Sequence, residues 1–276
     1  MTPAEASRTV GDIEVIAVSD GLLPTSLDVL VGLDRAEVER LSGRAFGETI
    51  HLPVNAFLVR HGDGLALIDT GAGATRGASL GKLPEQLRAL GAAPEQMSHV
   101  LLTHFHSDHS NGLVDAAGHA VFPNAELIVH EQDASFWLAP AAPGDSERLR
   151  RNRSEAQRAA APYRQRLRTV SDGEVLPGIS AVLQAGHTPG HTGWLIQSKG
   201  ERLLVWGDVV HLAAVQVPRP DAALVFDVDQ GAACATRRRV FERAAAENLC
   251  VAGAHLEFPG FGRLVREGAG YRCQPA

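Results

Sequence analysis

The 276-residue chain contains only three cysteines, and their positions exclude the common cysteine-based sites. Cys234, Cys250 and Cys273 are far apart, whereas zinc ribbons and redox motifs place their cysteines in close pairs. Unpaired thiols are typical of proteins in a reducing compartment. The cysteine content therefore predicts free thiols and a cytoplasmic location.

Long apolar runs and an excess of positive charge are also missing. No run approaches the roughly 20 residues that cross a bilayer as a helix. Residues 1–6 have neither the basic start nor the apolar segment of a signal peptide. The formal net charge of −6 disfavours nucleic-acid binding. We therefore expect neither a membrane nor a nucleic acid among the partners.

The sequence has no internal repeat and no linker-like segment. Its 276 residues, 45% of them hydrophobic, can bury a sizeable core. Residues 65–68, 83–90 and 100–102 follow a strand–helix–strand pattern, which is typical of α/β layers. The sequence predicts one domain over residues 1–276, with residues 1–12 flexible.

Residues 100–112 carry the strongest chemical signal. A short apolar strand leads directly into His104, His106, Asp108 and His109. Residues two apart in an extended segment face the same way, so the first two histidines can bind one metal ion. The other two residues follow where the chain turns and can face a second ion. This mixture of imidazole and carboxylate suits zinc and related transition metals better than calcium or magnesium.

The order His-x-His-x-Asp-His resembles the metallo-β-lactamase superfamily, and three later segments strengthen the resemblance. Residues 186–191 (Gly-His-Thr-Pro-Gly-His), 206–208 (Trp-Gly-Asp) and 253–255 (Gly-Ala-His) look like the family's remaining ligand motifs, in the same order. The resemblance implies an α/β fold, a four-layer αβ/βα sandwich of two mixed β-sheets flanked by helices. It also implies two divalent metal ions at one edge, with zinc favoured over manganese, cobalt or iron.

The resemblance assigns seven ligands to this binuclear site. They are His104, His106 and His187 for the first ion, Asp108, His109 and His255 for the second, and Asp208 as the bridge. A hydroxide shared by the ions would be the nucleophile, so no serine or cysteine nucleophile is needed. Asp108 also suits a proton shuttle to the leaving group. In the family, an aspartate at the position of Asp69 orients the ligands from beneath, and His191 is expected to support them rather than bind metal.

Several segments outside the ligand set resemble methyl parathion hydrolases and their relatives that hydrolyse dihydrocoumarin-type lactones and aryl esters. They are residues 55–59, 134–138, 213–216, 255–260 and 267–272. The expected function is therefore the opening of lactones and cleavage of aryl esters, with promiscuous phosphotriesterase activity. The alternatives are a main activity as an organophosphate hydrolase and a glyoxalase II-type thioesterase. Only 21 residues follow His255, which is short for the basic C-terminal extension of glyoxalase II.

Three side chains are candidates for the substrate pocket. His211 lies three residues after Asp208, where acyl-homoserine lactonases of this fold have a tyrosine that helps to polarise the substrate. An imidazole there can donate to an oxyanion or act as an acid, or it can simply line the pocket. Phe57 and Trp137, together with residues 22–34, are expected to form an apolar wall. A core-packing loop is the alternative for residues 22–34.

Residues 147–168 stand apart because they contain eight arginines and only two glutamates. Pro162 is expected to split them into two helices. A solvated helical face is one interpretation, and a phosphate-binding surface, as in a nuclease, is the other. The expected partner is a small lactone or ester, and a homodimer is left open.

Overall fold

In the computed structural model, which describes residues 6–62 and 64–276, the chain forms two seven-stranded β-sheets. The strands are β1 Ser7–Val10, β2 Ile13–Thr25, β3 Leu30–Val31, β4 Ile50–His61, β5 Gly64–Ile68, β6 His99–Leu101, β7 Glu126–His130, β8 Leu167–Val170, β9 Gly173–Leu176, β10 Ile179–Leu183, β11 Thr192–Ser198, β12 Glu201–Val205, β13 Ala223–Leu224, β14 Cys250–Ala252, β15 Phe261–Glu267 and β16 Gly270–Pro275. The α-helices are α1 Arg35–Ser42, α2 Leu83–Ala89, α3 Ser107–Ser110, α4 Glu131–Trp137, α5 Glu147–Ala160, α6 Ala213–Gln216 and α7 Gln230–Ala246.

The two sheets contain both parallel and antiparallel pairs. The first has the order β1-β2-β4-β5-β6-β7-β8, and the second has the order β16-β15-β14-β12-β11-β10-β9. Strands β5 to β8 pair in parallel, as do β12 and β14, while the other pairs are antiparallel. Strands β3 and β13 form a separate two-stranded ribbon.

The hydrophobic core is layered, which confirms the predicted αβ/βα sandwich. One cluster lies between the sheets and includes Phe57 and Trp194. A second joins the outer face of the first sheet to α2, α4 and α5, and a third joins the second sheet to α7. Along β4, Phe57 faces the other sheet and Leu58 faces the helices, because successive residues of a strand point to opposite faces. Each fully buried side chain of this size contributes roughly 1.5–3 kcal/mol.

The sequence predicts a short helix at residues 35–42 capped by Asp34, and helix α1 has these bounds. The carboxylate of Asp34 accepts hydrogen bonds from the N–H groups of Ala36 and Glu37, which otherwise have no partner within the helix. The helix ends at Gly43, whose φ of 64° is accessible to glycine at little cost.

The alternating residues from Ile13 to Val18 predict a first strand, and Asp20-Gly21 predicts a turn after it. The predicted end of this strand and the turn were wrong. Strand β2 continues to Thr25, and its register with β4 shifts between residues 19 and 21, as in a β-bulge. Gly21 has a φ of 129°, and a Cβ atom there would lie 1.9 Å from the carbonyl oxygen of Ser79. An Asp-Gly pair favours a turn locally, but here it lets the chain bend and remain in the sheet.

Other expectations were met in part. Residues 147–168 form one α-helix, α5, followed by a 3₁₀-helix, Ala161–Arg166, instead of two α-helices separated at Pro162. Residues 7–10 of the segment predicted to be flexible pair with β2 at the edge of the sheet. The sequence also predicts a hairpin of residues 55–60 and 65–68 with a turn at Gly62-Asp63-Gly64. Asp63 and residues 1–5, which make up most of the segment considered for a signal peptide, lie outside the described residues. None of the helices found in residues 6–62 and 64–276 combines the length and apolar character needed to span a membrane.

Candidate metal centre

Loops at the carboxyl ends of four strands bring the predicted ligands together. The segment after β6 carries His104 and His106 and enters α3, which contains Asp108 and His109. The other three predicted ligands follow β10, β12 and β14. Because these strands of the second sheet run in the same direction, their carboxyl ends lie at the same edge.

The potential ligand atoms form three overlapping groups within this cluster, and those of each group lie within 4.8 Å of one another. The groups are His104, His106, His187 and Asp208; Asp108, His109 and His255; and Asp208, His211 and His255. Asp208 lies between the predicted sites, with Oδ2 3.2 Å from His187 Nε2 and Oδ1 3.1 Å from His109 Nε2. All seven residues predicted as ligands therefore lie side by side.

The chemistry of the cluster fits transition-metal ions. Among residues 6–62 and 64–276, the Nε2 atoms of His104, His109 and His255 and the Oδ1 atom of Asp208 are buried and find no hydrogen bond of suitable geometry, although His109 Nε2 and Asp208 Oδ1 lie 3.1 Å apart. A buried polar atom without a partner costs roughly 1–3 kcal/mol, so four of them in one place need a ligand. Imidazole nitrogens and carboxylate oxygens in this arrangement suit zinc or a neighbouring metal.

The second nitrogen of several rings is fixed by a buried acceptor, which turns the free nitrogen towards the cluster. His109 Nδ1 lies 2.8 Å from Asp69 Oδ2, as the sequence predicts for Asp69. His187 Nδ1 lies 2.8 Å from Asp227 Oδ1, and His255 Nδ1 lies 2.8 Å from the carbonyl oxygen of Pro53. No motif of the sequence points to Asp227, which belongs to none of the ligand segments.

The turn that carries Asp208 is held from two sides. His191 Nε2 accepts a hydrogen bond of 2.9 Å from the Asp208 N–H, which agrees with the supporting role expected for His191. On the other side, Arg237 is 1% exposed and donates from Nε to the carbonyl oxygen of Val209 at 2.7 Å. Gly207 has a φ of 55°, and a Cβ atom there would lie 2.6 Å from His191 Nε2. We term this arrangement the clamped turn.

Burial and charge set the protonation of these groups. Burial alone would raise the pKa of Asp208, but the positive charge of the surrounding histidines holds that pKa well below its usual range. Burial lowers the pKa of His187, yet its hydrogen bonds to Asp208 and Asp227 raise it to about 9. Burial lowers the pKa of His191 to about 3, so this ring is neutral and can accept from the backbone. Asp208 is therefore the anionic centre of the cluster, and its contact with His187 raises the pKa of that ring against the effect of burial.

His211 lies in the cluster and also faces the neighbouring cavity. Its Nε2 is 2.9 Å from Asp208 Oδ2, and its ring stacks on His255 with the centroids 4.7 Å apart. Its Nδ1 is buried without a partner. Burial lowers the pKa of His211 to about 4, so the imidazole is neutral near pH 7.

A cavity of about 380 Å³ opens beside the cluster. Its lining includes Asp108, Asp208 and His211 from the cluster, together with Trp137. It also includes Leu23, Pro24, Thr25, Leu52, Phe136, Leu149, Phe226 and Val228. Residues 23–25 thus form part of a lip over the cavity, while Leu27 and Leu30 of the same predicted loop are buried in the core.

The two aromatic residues predicted to line the cavity differ in their location. Trp137 is a wall residue, and its ring meets that of His106 edge-on at 5.3 Å. Phe57 is not among the lining residues, and its ring lies 5.7 Å from that of Phe261 between the sheets. Its position on β4 points its side chain to the inner face of the sheet, so the prediction that Phe57 lines the pocket was wrong.

Comparisons with known proteins agree with this geometry. The model of the metallo-beta-lactamase superfamily matches residues 50–247. An N-acyl homoserine lactonase from Bacillus sp is 27% identical over 172 residues, which are 55% of this chain and 62% of that protein. The chain therefore spans about three fifths of the length of this curated relative.

Two solved structures are similar over 98% of this chain and 96% of their own chains. One is the hydrolase AbOPH of the beta-lactamase superfamily, with a TM-score of 0.92 and 33% sequence identity. The other is AidC, a dizinc quorum-quenching lactonase in complex with a product, with a TM-score of 0.90 and 25% sequence identity.

Proposed function

Because this chain belongs to the metallo-β-lactamase superfamily, we propose that it is a metal-dependent hydrolase that opens lactones. We include cleavage of aryl esters and a weaker phosphotriesterase activity in the proposal. The observation that carries it is the group of buried, unpartnered nitrogen and oxygen atoms beside a cavity of about 380 Å³. The similarity to a curated lactonase and to a dizinc lactonase structure supports the choice of substrate.

Seven residues would hold two divalent ions. We assign His104, His106 and His187 to one ion, Asp108, His109 and His255 to the other, and Asp208 to both. When bound, such ions supply a water activated near neutral pH and a Lewis acid for the carbonyl group.

Two residues of this chain are placed to act on the substrate itself. His211 is neutral near pH 7, and its Nε2 lies 2.9 Å from Asp208 Oδ2 at the cavity, so its single N–H would have to turn from that carboxylate to donate to the developing oxyanion. Asp108 faces the same cavity, and although burial would raise its pKa, the nearby His109 and His255 lower it. As an ionised carboxylate, Asp108 can accept a proton and return it to the leaving alkoxide.

The surroundings of His211 favour a lactone over a phosphotriester. A lactone carbonyl reacts through a compact tetrahedral oxyanion, which a nearby donor stabilises. A phosphotriester is bulkier, and its neutral ester arms need apolar room. An imidazole at this position supplies the donor and reduces that room.

The proposal is tested with a substrate panel on the protein loaded with zinc, manganese or cobalt. The panel contains N-hexanoyl-homoserine lactone, dihydrocoumarin, an aryl acetate, a glutathione thioester and paraoxon. We expect kcat/KM for the lactones or the aryl ester to exceed that for paraoxon by at least roughly 100-fold, about 2.7 kcal/mol of barrier. A preference for the triester or for the thioester would overturn it.

A further inference from the structure

The cavity has one polar wall, which is formed by α5. Arg148, Asn152 and Glu155 have the spacing i, i+4, i+7 and lie on one face of this helix. Arg148 and Asn152 line the cavity, and so does Arg76, which reaches α5 through an ion pair of 3.4 Å with Glu155. With a rise of about 1.5 Å per residue, this row extends for roughly 10 Å. We term the two guanidinium groups of Arg76 and Arg148, together with the neighbouring amide of Asn152, the guanidinium wall.

The guanidinium wall carries positive charge that the protein does not neutralise. Arg148 donates from Nη1 to the carbonyl oxygen of Val225 at 2.6 Å, and no carboxylate lies within 4.0 Å of its nitrogens in residues 6–62 and 64–276. Arg76 has Glu155 as a partner and also donates to the Ser107 hydroxyl. The wall and Glu155 together hold one excess positive charge, in a chain whose formal net charge is −6.

Another arginine of the same helix shows what a structural role looks like. Arg153 is 8% exposed, pairs with Asp145 at 2.9 Å and lies over the ring of Phe136 at 4.6 Å. Within the described part of the chain Arg148 has none of these contacts, since it is exposed and donates to a backbone carbonyl. Its remaining N–H groups are available to a molecule in the cavity.

We propose that the guanidinium wall binds an anionic oxygen group, such as a carboxylate, on a substrate whose lactone or ester group lies at the metal centre. The inference rests on the proposed function and names the substrate class of that site. A planar guanidinium with several N–H donors matches a carboxylate, and the amide of Asn152 supplies a further donor. The apolar lip formed by Leu23 and Pro24 completes the cavity and would contact the hydrocarbon part of such a substrate.

The test uses a pair of lactones that differ only in charge. One is N-hexanoyl-homoserine lactone, and in the other the terminal methyl group of the acyl chain is replaced by a carboxylate. The wild-type protein should favour the anionic lactone in kcat/KM by roughly five- to tenfold at low ionic strength, and salt should reduce the preference. Arg148→Gln and Arg76→Gln should each remove most of it, chiefly through KM. Arg151→Gln is the control, because Arg151 is exposed on the same helix and does not line the cavity.

Calorimetry with the two ring-opened products gives a second measurement that does not depend on turnover. The metal-loaded wild-type protein should bind the product with the extra carboxylate more tightly, and Arg148→Gln should abolish the difference. If neither lactone is opened but this binding difference is found, the proposed function fails and the anionic subsite stands. If both lactones are opened at equal rates and the substitutions leave the ratio unchanged, the subsite is refuted and the proposed function stands.

Discussion

The metal-type cluster and the guanidinium wall border the same cavity, but the protein holds them in different ways. In the cluster, His109 and His187 are each fixed by a buried carboxylate, from Asp69 and Asp227 respectively. In the wall, the arginines are exposed, and Arg148 donates to a backbone carbonyl with no side-chain partner among residues 6–62 and 64–276. The rigid region therefore suits the reaction itself, while the open region suits the choice of substrate. Substitutions in the cluster should change metal content and kcat, and those in the wall should change KM.

The largest effect should come from Asp208→Ala. This substitution removes the carboxylate that lies between the two ligand groups, with oxygens near both His109 and His187. We expect less than one equivalent of retained metal by elemental analysis and a loss of at least roughly 1,000-fold in lactone kcat/KM. Asp221→Ala is the control, since Asp221 is exposed and pairs with Arg238. A variant that keeps two equivalents of metal and normal activity would refute the assigned bridge.

Asp227→Ala tests the metal-type cluster at a residue that contacts a predicted ligand, His187, but is not itself a predicted ligand. His187 loses the acceptor for its Nδ1, so its free nitrogen is no longer fixed towards the cluster. Loss of such a supporting contact typically lowers metal affinity or activity by about 10- to 100-fold. Competition with a chelator should show that one of the two ions is bound more weakly, again with Asp221→Ala as the control. Unchanged affinity for both ions would mean that Asp227 has no orienting role.

His211→Leu tests the boundary between the two regions. The change removes the donor beside Asp208 and adds apolar room in the cavity. We expect roughly tenfold slower lactone opening and faster paraoxon hydrolysis, so that the gap in kcat/KM narrows from both sides. His119→Leu is the matched control, because His119 is exposed and pairs only with Asp115. An equal loss in both reactions would show that His211 does not select between the substrates.

The smallest effect should come from Trp137→Phe. Trp137 is buried in the cavity wall against His106, and the smaller ring keeps most of the packing. The KM for aryl esters should rise about two- to fivefold, with little change for small aliphatic lactones. Trp194→Phe is the control, since Trp194 is buried between the sheets. Equal changes for both substrate classes would make Trp137 a core residue only.

The sequence predicts the fold and the donor cluster well through its resemblance to the metallo-β-lactamase superfamily, because that resemblance rests on short local motifs. Four of the seven predicted ligands lie in one hexapeptide, and the other three belong to short motifs at strand ends. Phe57 was misplaced because an almost uninterrupted apolar strand does not reveal which face points to the core. The Asp20-Gly21 bulge was missed because a turn and a bulge use the same residues, and only the pairing of β2 with β4 distinguishes them.

Two further residues around the site, Asp227 and Arg148, could not be found from the sequence. Asp227 meets His187 across 40 residues of chain, and Arg148 meets Val225 across 77. Neither pair has a spacing that a helix or strand would impose, so tertiary structure alone brings them together. The eight arginines of residues 147–168 look alike in the sequence. In the structure, Arg153 is paired and buried, while Arg148 faces the cavity.

The clamped turn at Asp208 has a consequence for how the protein acquires its metal. Its backbone is anchored by His191 on one side and by Arg237 on the other, and both side chains are fully enclosed by the protein. The ligand side chain on this turn therefore lost its conformational entropy when the protein folded, and it loses little more when an ion binds. The ligand residues should therefore move little when the ion binds. Removal of the ion should then leave the fold and the positions of the ligand residues unchanged, so that a different metal of similar size can bind.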